Sequence, residues 1–494
     1  MRKTCRLYVA ALVVLSVARL AAAAGESANR PLNVLFIATD DLRNDLGCYG
    51  NTEAKTPNFD RLARRSLVFD RAYCQQAVCN PSRASLLTGR RPDTLRIWDL
   101  PTHFRQVTTG VTTLPEHFMR NGYFTQNVGK VFHNGRQTIE GDPESWSVPA
   151  VMHFARHGED VSQVTGELPR DLADDPRCEC RDVPDEAYFD GRVAKLAVAA
   201  LEERSAAEVP FFLAVGFWKP HAPFNAPKRY WDMYERETVS LPLHPEWPEG
   251  APRVAWHDSQ EMLGSQSRTL TPDAIREIRH GYLANISYLD TQLGKVLDAV
   301  DRLNLWDDTV VVLWADHGYH LGEQSLWAKT SNFELDARVP LLIATPGMAT
   351  AGRHTSALAE LLDLYPTLVD VCSLPKVEGL EGKSLAPILA DPNESVREAA
   401  LTQHPRPAYY DREADHAPTS MGYSVRTDRF RYTQWRDWRT GMVVASELYD
   451  HESDPDETRN AVDEPSRAAD VVRCQQLLES FQPIVRAGWK PVLP

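Results

Sequence analysis

The chain has 494 residues, with 68 acidic against 54 basic side chains, and this acidic balance argues against general nucleic-acid binding. A chain of this length exceeds one small core and suits a large domain with a smaller one behind it. Hydrophobic residues make up 43% of it, which with regular strand and helix signals argues for a globular enzyme over a disordered or repeat protein. An acidic body still allows a polyanionic substrate in a local basic cleft.

The N-terminus joins basic Arg2, Lys3 and Arg6 to an apolar stretch over 7–20 and small residues Ala21 to Ala24. This is the pattern of a secretory signal peptide, residues 1–24, cleaved after Ala24. Arg19 interrupts the stretch, and no later segment reaches the roughly 18 apolar residues of a membrane span. The expected product is exported, without a membrane span after cleavage: periplasmic or secreted in a bacterium, lysosomal or secreted in a eukaryote. Apart from Cys5 and Cys79, six cysteines remain, too few and too dispersed to give a pairing. Cys178-Glu179-Cys180 resembles half a zinc site, lacks a second pair at metal spacing, and reads as a loop element.

A strand-like run over 33–39 ends at Asp40-Asp41. Thr56-Pro57 opens a short helix through residue 65. Pro81 suits a first helical turn, Asn80 or Cys79 its cap and Gly89 its end, so Cys79 is expected at a helix N-terminus, where N–H groups and the helix dipole favour an anion. A second strand, 123–128, runs into Gly129-Lys130 and His133. Residues 145–182 lack periodicity and read as a long insertion. A helix is expected over 184–204, then a strand over 210–217 ending at Lys219-Pro220-His221. Another insertion covers 241–267. A long helix starts at Thr271-Pro272 and reaches residue 303, and a strand over 309–315 ends at Asp316-His317. Residues 356–371 are apolar at helical spacing, and 375–400 read as a linker. Strand-like 422–433 and a final helix near 468–481 complete the chain.

Strands alternating with helices indicate an α/β fold, a largely parallel sheet covered by helices on both faces. In such sheets ligands gather beyond the carboxyl ends of the strands, so the four polar clusters are expected to face one crevice. The expected domains are a catalytic unit over 25–375 and a smaller C-terminal α+β unit over 376–494.

The most informative segment is Cys79-Asn80-Pro81-Ser82-Arg83, continuing to Leu87-Thr88-Gly89-Arg90. A lone cysteine at a helix start could be a buried structural thiol or a partner for Cys74. With Arg83 and the downstream tetrad attached, the segment resembles the signature of type I sulfatases, in which this cysteine is oxidised to formylglycine. Further matching pieces are Thr39-Asp40-Asp41-Leu42-Arg43, Val128-Gly129-Lys130-Val131-Phe132-His133, Lys219-Pro220-His221, Ala315-Asp316-His317-Gly318, Trp327-Ala328-Lys329 and Met421-Gly422-Tyr423-Ser424-Val425-Arg426-Thr427. Together they resemble the sulfatase branch of the alkaline-phosphatase superfamily over almost the whole mature length. The run after Cys79 and the Lys130 to His133 spacing favour its iduronate-2-sulfatase-like subgroup.

The resemblance implies a metal site of Asp40, Asp41, Cys79 as formylglycine, Asp316 and His317. Hard carboxylates suit one Ca²⁺ ion, while the histidine leaves Mg²⁺ or Mn²⁺ open on sequence alone. It implies covalent catalysis by the hydrated formylglycine at position 79. Arg83 and Lys130 would stabilise its oxygen, His221 or Lys329 protonate the departing sugar oxygen, and His133 take the proton from the second hydroxyl as sulfate leaves. The implied substrate is a sulfated oligo- or polysaccharide, with the 2-O-sulfate of a uronate first. The implied maturation partner is a formylglycine-generating enzyme. Tyr319 and His320 replace a Trp and a small residue of the subgroup, and Arg90, Arg91 and Arg96 are candidates for a substrate carboxylate. His320 and Glu323 are expected along the pocket without chemistry. The rivals are a phosphatase or phosphodiesterase of the same superfamily, which would usually carry Thr or Ser at position 79, another polysaccharide sulfatase, and a non-catalytic carbohydrate-binding protein.

Overall fold

The computed structural model describes residues 31–153, 178–263, 270–412 and 417–481. The signal peptide expected over 1–24 lies outside these, as do parts of both insertions. Among the described residues no helix is long and apolar enough to cross a membrane.

The core is an eight-stranded mixed sheet. Its centre consists of four neighbours, β1 (Asn33–Asp40), β2 (Phe124–Gly129), β3 (Phe211–Pro220) and β4 (Thr309–Ala315), in the spatial order β4-β1-β3-β2. All three pairings are parallel, so the four carboxyl ends lie along one edge. β3 and β4 are buried along their entire length, which is why both read as unbroken apolar runs. The helix α1 (Cys79–Thr88) and the 31-residue helix α2 (Pro272–Arg302) are among those that pack on this sheet.

A separate four-stranded antiparallel sheet, Ala400–Arg406, Ser420–Arg426, Phe430–Asp437 and Val443–Asp450, forms the smaller C-terminal domain. The helix Ala468–Ser480 covers it through Cys474 and Leu478, which pack with Leu401, Met421 and Val425.

Several expectations are corrected. Residues 356–371 do not form one helix: His354–Glu360 is a strand paired parallel with Leu67–Tyr73, and the helix covers only Leu364–Val371. Apolar spacing there reflects burial on the sheet, which overrides the helical period. The supposed linker is packed, with Leu385, Ile388 and Leu389 in the main core. Cys178–Arg181 is a strand paired with Phe224–Pro227 rather than a loop. The helix expected from 184 begins at Phe189, after a 3-10 turn at Asp185–Ala187.

Candidate active site

Each strand end contributes by a distinct local device. At β1, Asp40 closes the strand and Asp41 adopts φ 59°. The Tyr282 hydroxyl from α2 donates to the Asp41 carbonyl at 2.7 Å and holds this turn. At β2 and β3, Gly129 pairs in register with Gly216. A Cβ on Gly129 would lie 2.0 Å from the Gly216 carbonyl oxygen, and one on Gly216 would lie 2.0 Å from that of Lys130. Two glycines are therefore needed for the approach that turns Lys130 inward. At the carboxyl end of β3, Asp190 accepts from the backbone N–H groups of Trp218 and Lys219 at 2.8 and 2.9 Å, fixing the segment that carries His221.

α1 starts at Cys79 and stops at Gly89, whose φ of 65° terminates it. Its N-cap is Val78, without a side-chain cap. Asn80 instead donates to the carbonyls of Asp99 and Thr102, both at 2.8 Å. Arg83 lies one turn after Cys79 on the same helix face. Its guanidinium donates to Asp316 Oδ2 at 2.8 Å and to the carbonyls of Lys130, Val131 and Thr39 at 2.8, 3.0 and 3.1 Å. It also pairs with Asp40 Oδ2 at 3.4 Å.

Cys79 Sγ stands where the oxygens of a formylglycine would be carried. It lies 3.4 Å from Asp40 Oδ1, 3.5 Å from His317 Nε2 and 3.8 Å from Lys130 Nζ. Burial, with Asp40 beside it, pushes the thiol pKa well up. The unmodified side chain thus stays protonated, the opposite of an activated cysteine nucleophile. Cys74 and Cys79 are both free thiols.

Asp40, Asp41, Cys79 and His317 each offer a ligand atom, all buried and all within 4.8 Å of one another. Asp316 stands beside them, Oδ1 3.6 Å from His317 Nε2. That oxygen accepts from the backbone N–H groups of Asp41 and His317. The electrostatics fit a hard cation. Burial raises the Asp41 carboxyl well above its usual range, and Asp40, Glu261 and Asp316 add to the rise against Lys329. Burial acts on Asp40 too, but Lys130 and Arg83 hold it well below that range.

Lys329 donates to His221 Nε2 at 3.2 Å and pairs with Glu261 Oε1 at 2.7 Å. His133 is buried, and its Nδ1 has no hydrogen-bond partner among the described residues. Burial, then Lys130, lower its pKa well below the ordinary histidine value, leaving a neutral ring that can accept a proton.

The structure therefore brings Asp40, Asp41, Cys79, Arg83, Lys130, Asp316, His317, His221 and Lys329 into one contiguous network, with His133 coupled to its charges. Glu261 was missed because it lies in an aperiodic insertion, and no local signal marks it. His320 does not line this pocket: it is fully buried, bonded to Asp336 at 2.7 Å and Gln324 at 2.8 Å. Glu323 faces a neighbouring cavity of about 470 Å³, where it pairs with Arg43 and Arg279 at 3.1 and 2.9 Å. Tyr319 is likewise buried and stacks on Tyr282, so it is a packing residue. Arg91 is committed to Glu360 at 2.8 Å, and Arg90 and Arg96 make no hydrogen bond or ion pair to the site residues.

The Sulfatase family model matches residues 32–374. This chain belongs to the sulfatase family. A second model, the N-sulphoglucosamine sulphohydrolase C-terminal domain, matches 322–483. The sulfatase is 36% identical to iduronate 2-sulfatase of Mus musculus over 94% of this chain and 95% of the relative. It is also 36% identical to the Homo sapiens enzyme, over 87% and 90%. A sulfatase of Formosa agariphila is 30% identical over 92% and 87%. Among solved structures, one in complex with D-glucosamine-2-N,6-O-disulfate superposes with TM-score 0.74, covering 93% of this chain and 99% of that one at 21% identity. A phosphonate monoester hydrolase of Agrobacterium radiobacter matches with TM-score 0.74 at 24% identity, over 92% and 96%. These two likenesses establish the α/β fold. Family membership makes the protein a sulfuric ester hydrolase, and the phosphatase and non-catalytic readings give way to it.

Proposed function

We propose that this sulfatase is exported and removes the 2-O-sulfate of a uronate in a glycosaminoglycan-like or algal polysaccharide, after a formylglycine-generating enzyme has converted Cys79. The observation that carries this reading is the meeting of Cys79 with Asp40, His317 and Lys130 within 3.8 Å at the ends of parallel strands. The iduronate 2-sulfatase likeness supports the sugar, and the sequence pattern over 1–24 supports export.

Asp40, Asp41, Asp316 and His317 are the residues that would hold one Ca²⁺ ion. Converted and hydrated, position 79 supplies two hydroxyls on one carbon, and bound Ca²⁺ supplies a Lewis acid beside them. Lys130 and Arg83 hold positive charge next to that carbon, offsetting negative charge as it develops on the attacking oxygen and the sulfate. The touching pair His221 and Lys329 presents an N–H donor to the departing sugar oxygen. His133, neutral at the working pH, takes the proton of the second hydroxyl at a ring nitrogen as sulfate is expelled.

The test pairs peptide mass spectrometry across Cys79, on protein from a formylglycine-competent host, with sulfate release from 2-sulfated uronate disaccharides and an aryl sulfate. Formylglycine with uronate-selective release is the expected result. Formylglycine without release from the uronates would redirect the substrate to another sulfated sugar. An unmodified, active Cys79 would overturn the mechanism.

A further inference from the structure

The reaction centre is crowded with cations, yet almost all are already committed. Arg83 is fully buried and spends its donors on Asp316, Asp40 and three carbonyls. Lys130 is bound to Asp40 and Lys329 to Asp41 and Glu261, with side chains 2% and 3% exposed. Arg406 is tied to the carbonyls of Val254, Ala255 and Thr330.

Arg412 differs. It ends the 3-10 turn Tyr410–Arg412, and its side chain is 25% exposed. Its guanidinium lies 4.2 Å over the Tyr409 ring. Its only side-chain hydrogen bond or ion pair among the described residues is one loose contact, Nη2 to Glu261 Oε2 at 3.5 Å. The other oxygen of that same carboxylate sits 2.7 Å from Lys329 Nζ. Burial alone would raise the Glu261 carboxyl, but Lys329 and Arg412 together hold it below its usual range. A charged Glu261 thus spaces Arg412 from Lys329 by the width of one carboxylate.

Lys329, with His221, marks where the sugar oxygen of the sulfate ester departs from sulfur. The next cation outward is a planar fork, pre-set by stacking on an aromatic ring and with unused donors. Such a fork matches a carboxylate bidentately. A uronate bears that carboxylate on the same ring as its sulfate ester. We infer that Arg412, held near Lys329 by Glu261, binds the carboxylate of a sulfated uronate and sets the preference for uronates over neutral sugar sulfates. This assignment rests on the sugar-sulfatase reading above.

The test uses the full-length, formylglycine-bearing enzyme with three substrates: a 2-sulfated uronate disaccharide, its carboxyl-reduced counterpart, and an aryl sulfate. Wild-type kcat/KM is expected to be roughly 10- to 100-fold higher for the uronate than for the reduced sugar, the size of a charge-assisted contact. Arg412→Gln should lower the uronate value by a similar factor, mainly through KM, while leaving the reduced sugar and aryl sulfate within about twofold. Arg412→Lys should recover part of the loss, since it restores charge without the fork. Equal losses on both sugars, or unchanged uronate turnover in Arg412→Gln, would overturn the assignment. Wild-type enzyme that hydrolyses both sugars alike would also overturn it while leaving the sulfatase reading standing. Release from the aryl sulfate alone would count against the sugar reading itself, and Arg412 would fall with it.

Discussion

Lys329 donates to both carboxylate oxygens of Asp41, at 2.9 and 3.0 Å, in surroundings where the lysine side chain is 3% exposed and the aspartate not at all. One contact thereby joins the carboxylates proposed to hold the metal to the side chains proposed to protonate the leaving group. Disturbing either half is expected to be felt by the other.

Arg83 should be among the least replaceable residues of the chain. Its side chain and those of Asp40 and Asp316 are all completely buried. Arg83→Ala leaves buried Asp316 without its cation and removes one of the two cations on Asp40, which keeps Lys130, at a cost of about 3–5 kcal/mol. Urea unfolding of the variant should show a correspondingly lower midpoint, and an unchanged midpoint would mean that water reaches these carboxylates.

Calcium should stabilise the fold as well as support turnover. A ligand at 100 times its Kd adds about 2.7 kcal/mol to the folded state. The unfolding temperature should therefore rise on adding Ca²⁺ to chelator-treated protein. Asp41→Asn should lose most of that rise. A rise of the same size in the variant would exclude Asp41 as a ligand.

His133 should govern the acid side of the pH profile. Burial, followed by Lys130, holds its pKa well below the ordinary 6.5. The ring therefore remains an acceptor down to pH values below that figure, and the acid limb of kcat should lie there. His133→Ala should lower kcat by roughly 10²–10⁴-fold and remove the limb, as read from kcat between pH 4.5 and 8. Retention of the limb would assign it to another group.

The smaller sheet should carry its own pH dependence. Burial pushes the Glu447 carboxyl up to about 7 from its usual 4.5, although Trp435 and Tyr449 donate to it at 2.6 and 2.7 Å. A folded-state pKa raised above the unfolded one gives stability that is full below pH 4.5 and lost as pH rises through about 7. The loss is on the order of 3 kcal/mol. Glu447→Gln cannot ionise, so its unfolding midpoint should fall less between pH 5 and 8 than that of the wild type. Parallel curves would show that Glu447 is not the source.

The sequence by itself determined the parallel strands, the polar clusters at their ends, the helix start at Cys79 and its stop at Gly89. Each of these is written within a few neighbouring residues, as an apolar run, a turn former or a fixed motif. Tertiary structure alone decided how those clusters divide the work. Asp316 spends one oxygen on Arg83 because α1 packs against the end of β4. The 354–360 segment is a strand because Leu67–Tyr73 lies beside it. Asn285-Ile286-Ser287 has the form of an N-glycosylation triplet, but Asn285 is fully buried in α2 and donates to the Gly281 carbonyl, a placement only the fold decides. Glu261 reaches Lys329 across 68 residues of chain. Periodicity and capping act over single turns, whereas a contact between an insertion and a strand end depends on the path of the whole chain.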